Sequence, residues 1–333
     1  MPVTFPKDPN DPIIVEFNEI SSADNNQQLA EEIGGSWDGH HLQVKNEYFD
    51  LDVRHFFFLE QLTVEICELH LHKNTHFIQN LEKNRDHICI RVGFSGLIIN
   101  LSEEKSFQSN GIFVYNTNQD FNVEFPAGAT IRWVGLKFPK ELISRIFTHE
   151  KPHKLKALAE ETTPWVHYFS LDAEMEEYIK AIFEQGRSSN GREATPLSRS
   201  IDIIGAVKEK LEMDDPMQVH ERIHPEDLQK IITIKDQMLS NLDQIPRLED
   251  YSSEHGMSIT KMNNLFKRVF KLPFLKFYNT QKTEEVRRKI QHTNLSLTEI
   301  ADELGFSHVG HMSRVFKKQY GFPPSALRRI SAV

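Results

Sequence analysis

The sequence predicts an α+β multidomain chain. It has a β-rich region over residues 1–138, a helical region over 139–222 and an all-α C-terminal domain over 223–333. Three observations carry this. Short apolar runs broken by turn residues fill Tyr48 to Phe138, the texture of an antiparallel sandwich or barrel. After Phe138 the apolar residues recur at helical spacing. Near the C-terminus one pattern of helix, turn and helix occurs twice, 50 positions apart. At 333 residues, two or three domains are expected.

Composition narrows the function classes. Hydrophobic content of 39% supplies sizeable cores, yet no apolar run reaches membrane-spanning length. The start, MPVTFPKDPNDP, is polar and proline-rich, unlike a secretory signal or transit peptide. Cys67 and Cys89 are too few for a disulfide framework or a four-cysteine zinc site. A cytoplasmic setting without membrane association is therefore expected. The net charge of -9 divides unevenly. From Pro225 onward 17 basic and 12 acidic residues give +5, and the remaining 22 basic and 36 acidic give -14. Such asymmetry marks a nucleic-acid module joined to something else.

Taken in order, residues 1–45 read as an irregular arm, with one short helix at Asn26–Ile33 stopped by Gly34-Gly35. Strands are predicted at Val53–Phe58, Leu62–His72, Thr75–Asn80, His87–Val92, Gly96–Leu101, Ile112–Tyr115, Phe121–Phe125 and Ile131–Phe138. In Leu62–His72 the apolar phase changes, from Leu62, Val64 and Ile66 to Leu69 and Leu71. A one-residue slip inverts every side chain, so a β-bulge near Cys67 is expected. Helices follow at Pro139–Phe147, Lys154–Glu160, Asp172–Gln185, Pro196–Lys210 and His224–Asn241. The stripes Met175, Tyr178, Ile179, Ile182 and Leu197, Ile201, Ile204, Val207 suit pairing with another subunit or packing on their own domain.

The chemistry lies in LTEIADELGFSHVGHMSRVFKKQYGFPPSAL, Leu297 to Leu327. Leu297, Ile300, Ala301 and Leu304 form one helix face, with Ser296 or Asn294 as cap. Gly305 supplies the positive φ that ends the helix, Phe306 fills the turn, and Ser307 can cap the next helix. There Met312, Val315 and Phe316 face inward, leaving Val309, Gly310, Ser313, Arg314 and Lys317 outside. A small, polar and basic face on a second helix suits the major groove. Arg314 can donate a fork to guanine, while Lys317 and Lys318 suit phosphate. Upstream, LEDYSSEHGMSITKMNNLFKRVF repeats the pattern, Met262, Leu265 and Phe266 matching Met312, Val315 and Phe316. Pro273–His292 reads as a helical connector between two helix-turn-helix units, which could enter successive major grooves about 34 Å apart.

These stretches resemble the AraC/XylS transcription regulators. GFSHVGHMSRVFKKQYGFPPSALR is similar to the family's C-terminal signature, and GMSITKMNNLFKRVF to its first helix-turn-helix. The resemblance covers Ile245 to Arg329; HPEDLQKIITIKDQML is more loosely similar to the siderophore-responsive, pyochelin-type subgroup. It implies a cupin-like N-terminal sensor over 1–138, a coupling or dimerisation region over 139–222 and a DNA-binding domain over 223–333. The implied partners are double-stranded promoter DNA, a small-molecule effector, a second copy of the chain, and RNA polymerase if the chain is an activator. The family's DNA-facing positions fall on Ile259, Thr260, Lys261, Asn263, Asn264 and Lys267, and on Val309, Gly310, His311, Ser313, Arg314 and Lys317. Departures are concentrated in the first unit: Tyr251 and Ser252 stand for a usual leucine and alanine, and Lys271 for the glycine that closes its second helix. The connector has Lys282, Thr283 and Val286 where arginine, a hydrophobe and alanine are usual. In the second unit Met312 replaces an aromatic and Gly310 sits on the reading face.

Elsewhere, His70, His72 and His76 resemble the start of a cupin metal motif, but the flanking glycine and glutamate are missing. A solvated or cavity-lining strand face is the reading adopted, with no metal, cofactor or catalytic residue assigned. Phe56–Phe58, Phe94, Phe113, Tyr115, Phe121 and Trp133 are expected to fill the β core, some lining a ligand pocket. No nucleophile elbow, Walker loop or dinucleotide fingerprint occurs. The expected function is a sequence-specific regulator controlled by an effector, not an enzyme. The alternatives are a cupin-type metal enzyme with a helical interaction tail, and a constitutive DNA binder.

Overall fold

A computed structural model describes the chain apart from residues 1–2, 7, 9–10, 18–22, 60, 80–86, 94–96, 100–105, 108–110, 118–121, 126, 149–152, 187–193, 214–222 and 332–333. Phe94 and Phe121 lie outside the described residues. The chain divides into two compact units, Met1–Gln229 and Lys230–Val333.

The first unit begins with β1 (Val3–Thr4), β2 (Ile13–Phe17), α1 (Ala23–Ile33), β3 (Ser36–Trp37) and β4 (His41–Lys45). It continues through β5 (Phe49–Phe58), β6 (Leu62–Leu71), β7 (Thr75–Gln79), β8 (His87–Val92), β9 (Leu97–Ile99), β10 (Ser106–Phe107), β11 (Gly111–Asn116), β12 (Asn122–Phe125) and β13 (Ala129–Pro139). Then come α2 (Lys140–Ile146), α3 (Lys154–Ala159), β14 (Val166–Ser170), α4 (Ala173–Gly186) and α5 (Ala194–Met213). The larger sheet runs β14-β11-β8-β13-β6-β5-β4-β3, with β9 pairing β13 and β10. A smaller sheet runs β1-β2-β7-β12, its β2–β7 pair parallel.

The expected bulge at Cys67 is absent. β6 pairs β5 from Phe49↔Leu71 to Phe58↔Leu62, and β13 from Thr130↔His70 to Lys137↔Thr63, without a slip in register. The phase changes because the strand serves two cores on opposite faces. Leu62, Val64 and Ile66 join Ile88, Ile90, Val92 and the helices in one core. Cys67, Leu69 and Leu71 join Leu29, Ile33 and Val44 in another. The neighbouring strands change over at the same level. Phe56 and Phe58 of β5 and Val134, Leu136 and Phe138 of β13 face the first core. Phe49 and Val53, and Ala129 and Ile131, face the second.

Two further expectations are corrected. Residues 1–45 are not an irregular arm: Ile13, Val15, Leu29, Ile33, Leu42 and Val44 are buried in the second core. Their polar neighbours hide short strands whose apolar positions are few. β14 falls inside the stretch expected to be helical and pairs with β11 from Gly111↔Ser170 to Tyr115↔Val166. Its run of Val166, His167, Tyr168 and Phe169 is β-branched and aromatic, which suits a strand. Both predicted amphipathic helices turn inward. Met175 and Ile182 of α4, and Ile203, Ile204, Val207 and Leu211 of α5, are buried in the first core. The other stripe members, Tyr178, Ile179, Leu197 and Ile201, are partly buried against the same core.

α6 (Pro225–Ser240) carries the chain across the boundary into the second unit. There follow α7 (Leu248–Glu254), α8 (Ile259–Phe270), α9 (Phe274–His292), α10 (Leu297–Glu303), α11 (Val309–Tyr320) and α12 (Pro324–Ser331). Phe266 packs on Phe274 at 5.0 Å between ring centres and Phe270 on Phe277 at 4.7 Å, fastening α8 to α9. Phe316 packs on Tyr320 at 4.5 Å and Phe322 at 5.9 Å, with Ile300, Ala301 and Met312 buried beside them. Among the described residues no helix is long and apolar enough to cross a membrane.

Candidate nucleic-acid interface

The second unit holds two short helix pairs, α7–α8 and α10–α11, joined by α9. In each pair the first helix ends at a glycine of positive φ, Gly256 (φ 59) or Gly305 (φ 62). The second helix of each pair then starts on a side-chain cap. Ser258 accepts from the Lys261 N–H at 3.2 Å. In the other pair the cap is His308, not the expected Ser307: its Nδ1 accepts from the His311 N–H at 3.0 Å. Ser307 instead lies 3.2 Å from the His311 ring. Ser296 and Glu299 form a capping box on α10, as its Ser-x-x-Glu spacing requires.

The departures in the first pair have structural work. Ser252 donates to the Met257 carbonyl at 2.6 Å, closing the turn. Tyr251 packs on Phe274 at 5.5 Å. Lys271 has φ 60, the left-handed conformation in which glycine is usual. The corresponding cap on α11, Gly321, has φ 83.

The outer faces fall largely where the residues were expected. On α8, Ile259, Thr260, Lys261, Asn264 and Lys267 are exposed. Asn263 is half-buried, and its Oδ1 accepts from the Phe274 N–H at 3.2 Å. That oxygen is therefore engaged within the unit, whereas Asn264 is exposed. On α11, Gly310, His311, Arg314 and Lys317 are exposed and Val309 and Ser313 half-buried. Met262, Phe266, Met312 and Phe316 are fully buried beneath these faces. Charge separates the helices by role. On α9, Arg287 and Arg288 pair with Glu284 and Glu285 at 2.9 and 2.7 Å. Lys267, Arg314, Lys317 and Lys318 enter no ion pair among the described residues.

The first unit contains a polar arrangement that residue spacing did not reveal. His55, Glu65, Gly135, Arg91, Phe113 and Tyr168 lie side by side across six strands. All five side chains are buried. Glu65 accepts from Lys137 at 3.3 Å and from the Trp133 indole N–H at 3.0 Å. Burial alone would raise the Glu65 carboxyl, but Lys137, His55 and Arg91 outweigh it and hold it down at about 2. Burial pushes the His55 imidazole below its ordinary value, only partly offset by Glu65. Only the strand register, invisible before the sheet order is known, assembles this row. The histidines once weighed for metal have other partners: His70 contacts the Thr130 hydroxyl at 2.8 Å and His72 the Asp50 carboxylate at 3.4 Å. No cluster able to hold a metal ion occurs among the described residues.

Comparison with known proteins places residues 251–330 under the family model described as a helix-turn-helix domain. An uncharacterized HTH-type transcriptional regulator of Bacillus subtilis, YfiF, is 31% identical over 97 residues, 29% of this chain and 31% of its own length. The regulatory protein PocR of Salmonella typhimurium is 32% identical over 83 residues, 25% of this chain and 27% of its own. This chain thus spans less than a third of either relative. A solved transcriptional regulator with an AraC-type DNA-binding domain, from Chromobacterium violaceum, aligns at 23% identity with TM-score 0.29. That alignment covers 32% of this chain and 92% of the other.

Proposed function

We propose that the chain is an AraC-type DNA-binding transcription regulator that reads two half-sites through tandem helix-turn-helix units, residues 251–330 matching the helix-turn-helix family model. α8 and α11 are the reading helices. The observation that supports this is the charge on Lys267 of α8 and on Arg314, Lys317 and Lys318 of α11, none of them in an ion pair among the described residues, on helices that start from the caps Ser258 and His308. Arg314 reads guanine O6 and N7, and Asn264 an adenine edge. Lys261, Lys267 and Lys317 meet phosphate, while Ile259, Thr260, Val309 and His311 line the groove walls. Gly310 adds no side chain and lets the backbone approach closely. Asn263 and Ser313 hold position at the edge of the contact. Selection of bound duplexes from a random library by the full chain tests this. Two conserved half-sites about one helical turn apart are expected; retention of unenriched sequence would overturn it.

The same reading assigns the first unit the role of a cupin-like sensor for a small-molecule effector. The buried row His55–Glu65–Arg91, flanked by Trp133, Phe113 and Tyr168, supports it, because charged groups inside an aromatic sheet face are the polar anchors a ligand site needs. Thermal-shift screening of small molecules, followed by DNA binding with any hit, tests the coupling. A ligand that stabilises the first unit but leaves DNA affinity unchanged would count against effector control.

A further inference from the structure

Three segments of the second unit meet at one point: the loop 241–247 between α6 and α7, the connector α9, and the turn between α10 and α11. Tyr278 of α9 is 1% exposed, and its hydroxyl proton is shared between the Leu242 and Gln244 carbonyls at 2.8 and 2.7 Å. One helical turn on, Lys282 is 5% exposed. Its Nζ donates to the Tyr278 hydroxyl at 3.4 Å and stands 4.7 Å from the centre of the Phe306 ring. At Gly305, next to Phe306, a Cβ would overlap the Asp243 carbonyl, so turn and loop are in direct contact.

An ammonium in this position is costly. Burial pushes Lys282 down, and only the Asp243 carboxylate counters it. A methionine would fill the same volume without that cost. What the cation adds is direction: it is attracted to the faces of the Phe306 and Tyr278 rings, 4.7 and 5.5 Å from their centres, and hydrogen-bonded to the Tyr278 hydroxyl. Phe306 belongs to the turn that launches α11. The hydroxyl, Tyr278, holds the loop that launches α7. We infer that Lys282 is a positioning residue that fixes the two helix pairs relative to one another, and thereby sets the half-site spacing the protein accepts. This rests on the tandem reading proposed above.

The test uses the full chain and duplexes drawn from its own selection, carrying one half-site, both, or both with the spacing changed by about one base pair. Lys282→Met and Phe306→Leu should bind either half-site alone within about threefold of the native protein and lose about tenfold on the paired site, the scale of one buried cation–π contact. Both should also accept altered spacings that the native protein rejects, and Lys282→Arg should restore the native preference. Equal loss on every duplex, or an unchanged spacing preference, would overturn the inference and leave Lys282 a stabilising residue only. If Lys282→Met fails to fold, Phe306→Leu and Lys282→Arg decide by the same spacing readout. If the native protein selects a single half-site, the tandem reading itself falls, and the lock with it.

Discussion

Arg314 and Lys271 show how much rests on single side chains in the second unit. Arg314 is exposed and outside any ion pair among the described residues. Its replacement by alanine should cost about 1–3 kcal/mol of specific binding and relax preference at one position. Titration against selected and random duplexes checks this: an equal fall on both would make Arg314 a phosphate anchor. Lys271 holds a left-handed φ of 60 at the C-terminus of α8, where a Cβ is strained. Lys271→Gly should stabilise the second unit by about 0.5–1 kcal/mol, read as a higher midpoint in helix-monitored denaturation. A lower midpoint would mean the lysine's own contacts outweigh the strain. The polar row in the first unit teaches the opposite lesson: Glu65 and Lys137 are 72 positions apart and became neighbours only through β6–β13 pairing.

At the scale of elements, α11 depends on its histidine cap. His308→Ala should cost about 0.5–2 kcal/mol and fray the first turn, which presents His311 and Gly310, while His308→Ser should recover most of it. Denaturation of the two variants side by side checks this; identical losses would move the cap's role elsewhere. This element also marks what the sequence could tell. The boundaries of α8, α9 and α11 were legible because apolar spacing, Gly305, Gly321 and Pro273 punctuate them. The choice of His308 over Ser307 was not, because either can accept a backbone N–H and local geometry decides. In the first unit, β5, β6, β8 and β13 were legible from alternation. α1 was legible from its stop at Gly34-Gly35, whereas β2 and β4 were missed because their few apolar residues sit among Asp, Asn and Gln. β14 was missed because a strand returning after two helices has no local signal beyond five residues.

At the scale of the molecule, the first unit should lose stability in acid. The Glu65 carboxyl is held at about 2, against an ordinary 4.5. Its contribution is therefore complete above 4.5 and lost as pH falls toward 2. His55 is held below its ordinary 6.5, so the unfolded chain takes up its proton first. That contribution is present above 6.5 and fades as pH falls below it. Both act on the first unit, which also holds all three tryptophans, Trp37, Trp133 and Trp165. Tryptophan fluorescence during acid titration should report progressive loss of this unit, and Glu65→Gln should remove the step below 4.5 while lowering stability at neutral pH. An unchanged acid profile in that variant would show the buried pair to be irrelevant to stability.

The strand β13 has a consequence for how the protein is made. It enters both cores of the first unit, with Ile131 in one and Val134, Leu136 and Phe138 in the other. On the ribosome, Ile13 and Val15 emerge more than a hundred residues before their partner Ile131. Until Ala129–Pro139 has been synthesised, β6 presents an apolar edge and two half-built faces, a state in which nascent chains are prone to misassociate. The second core then has all its members, while the first still awaits Met175, Ile182, Ile203, Ile204, Val207 and Leu211 of α4 and α5, so one face of β13 is covered well before the other.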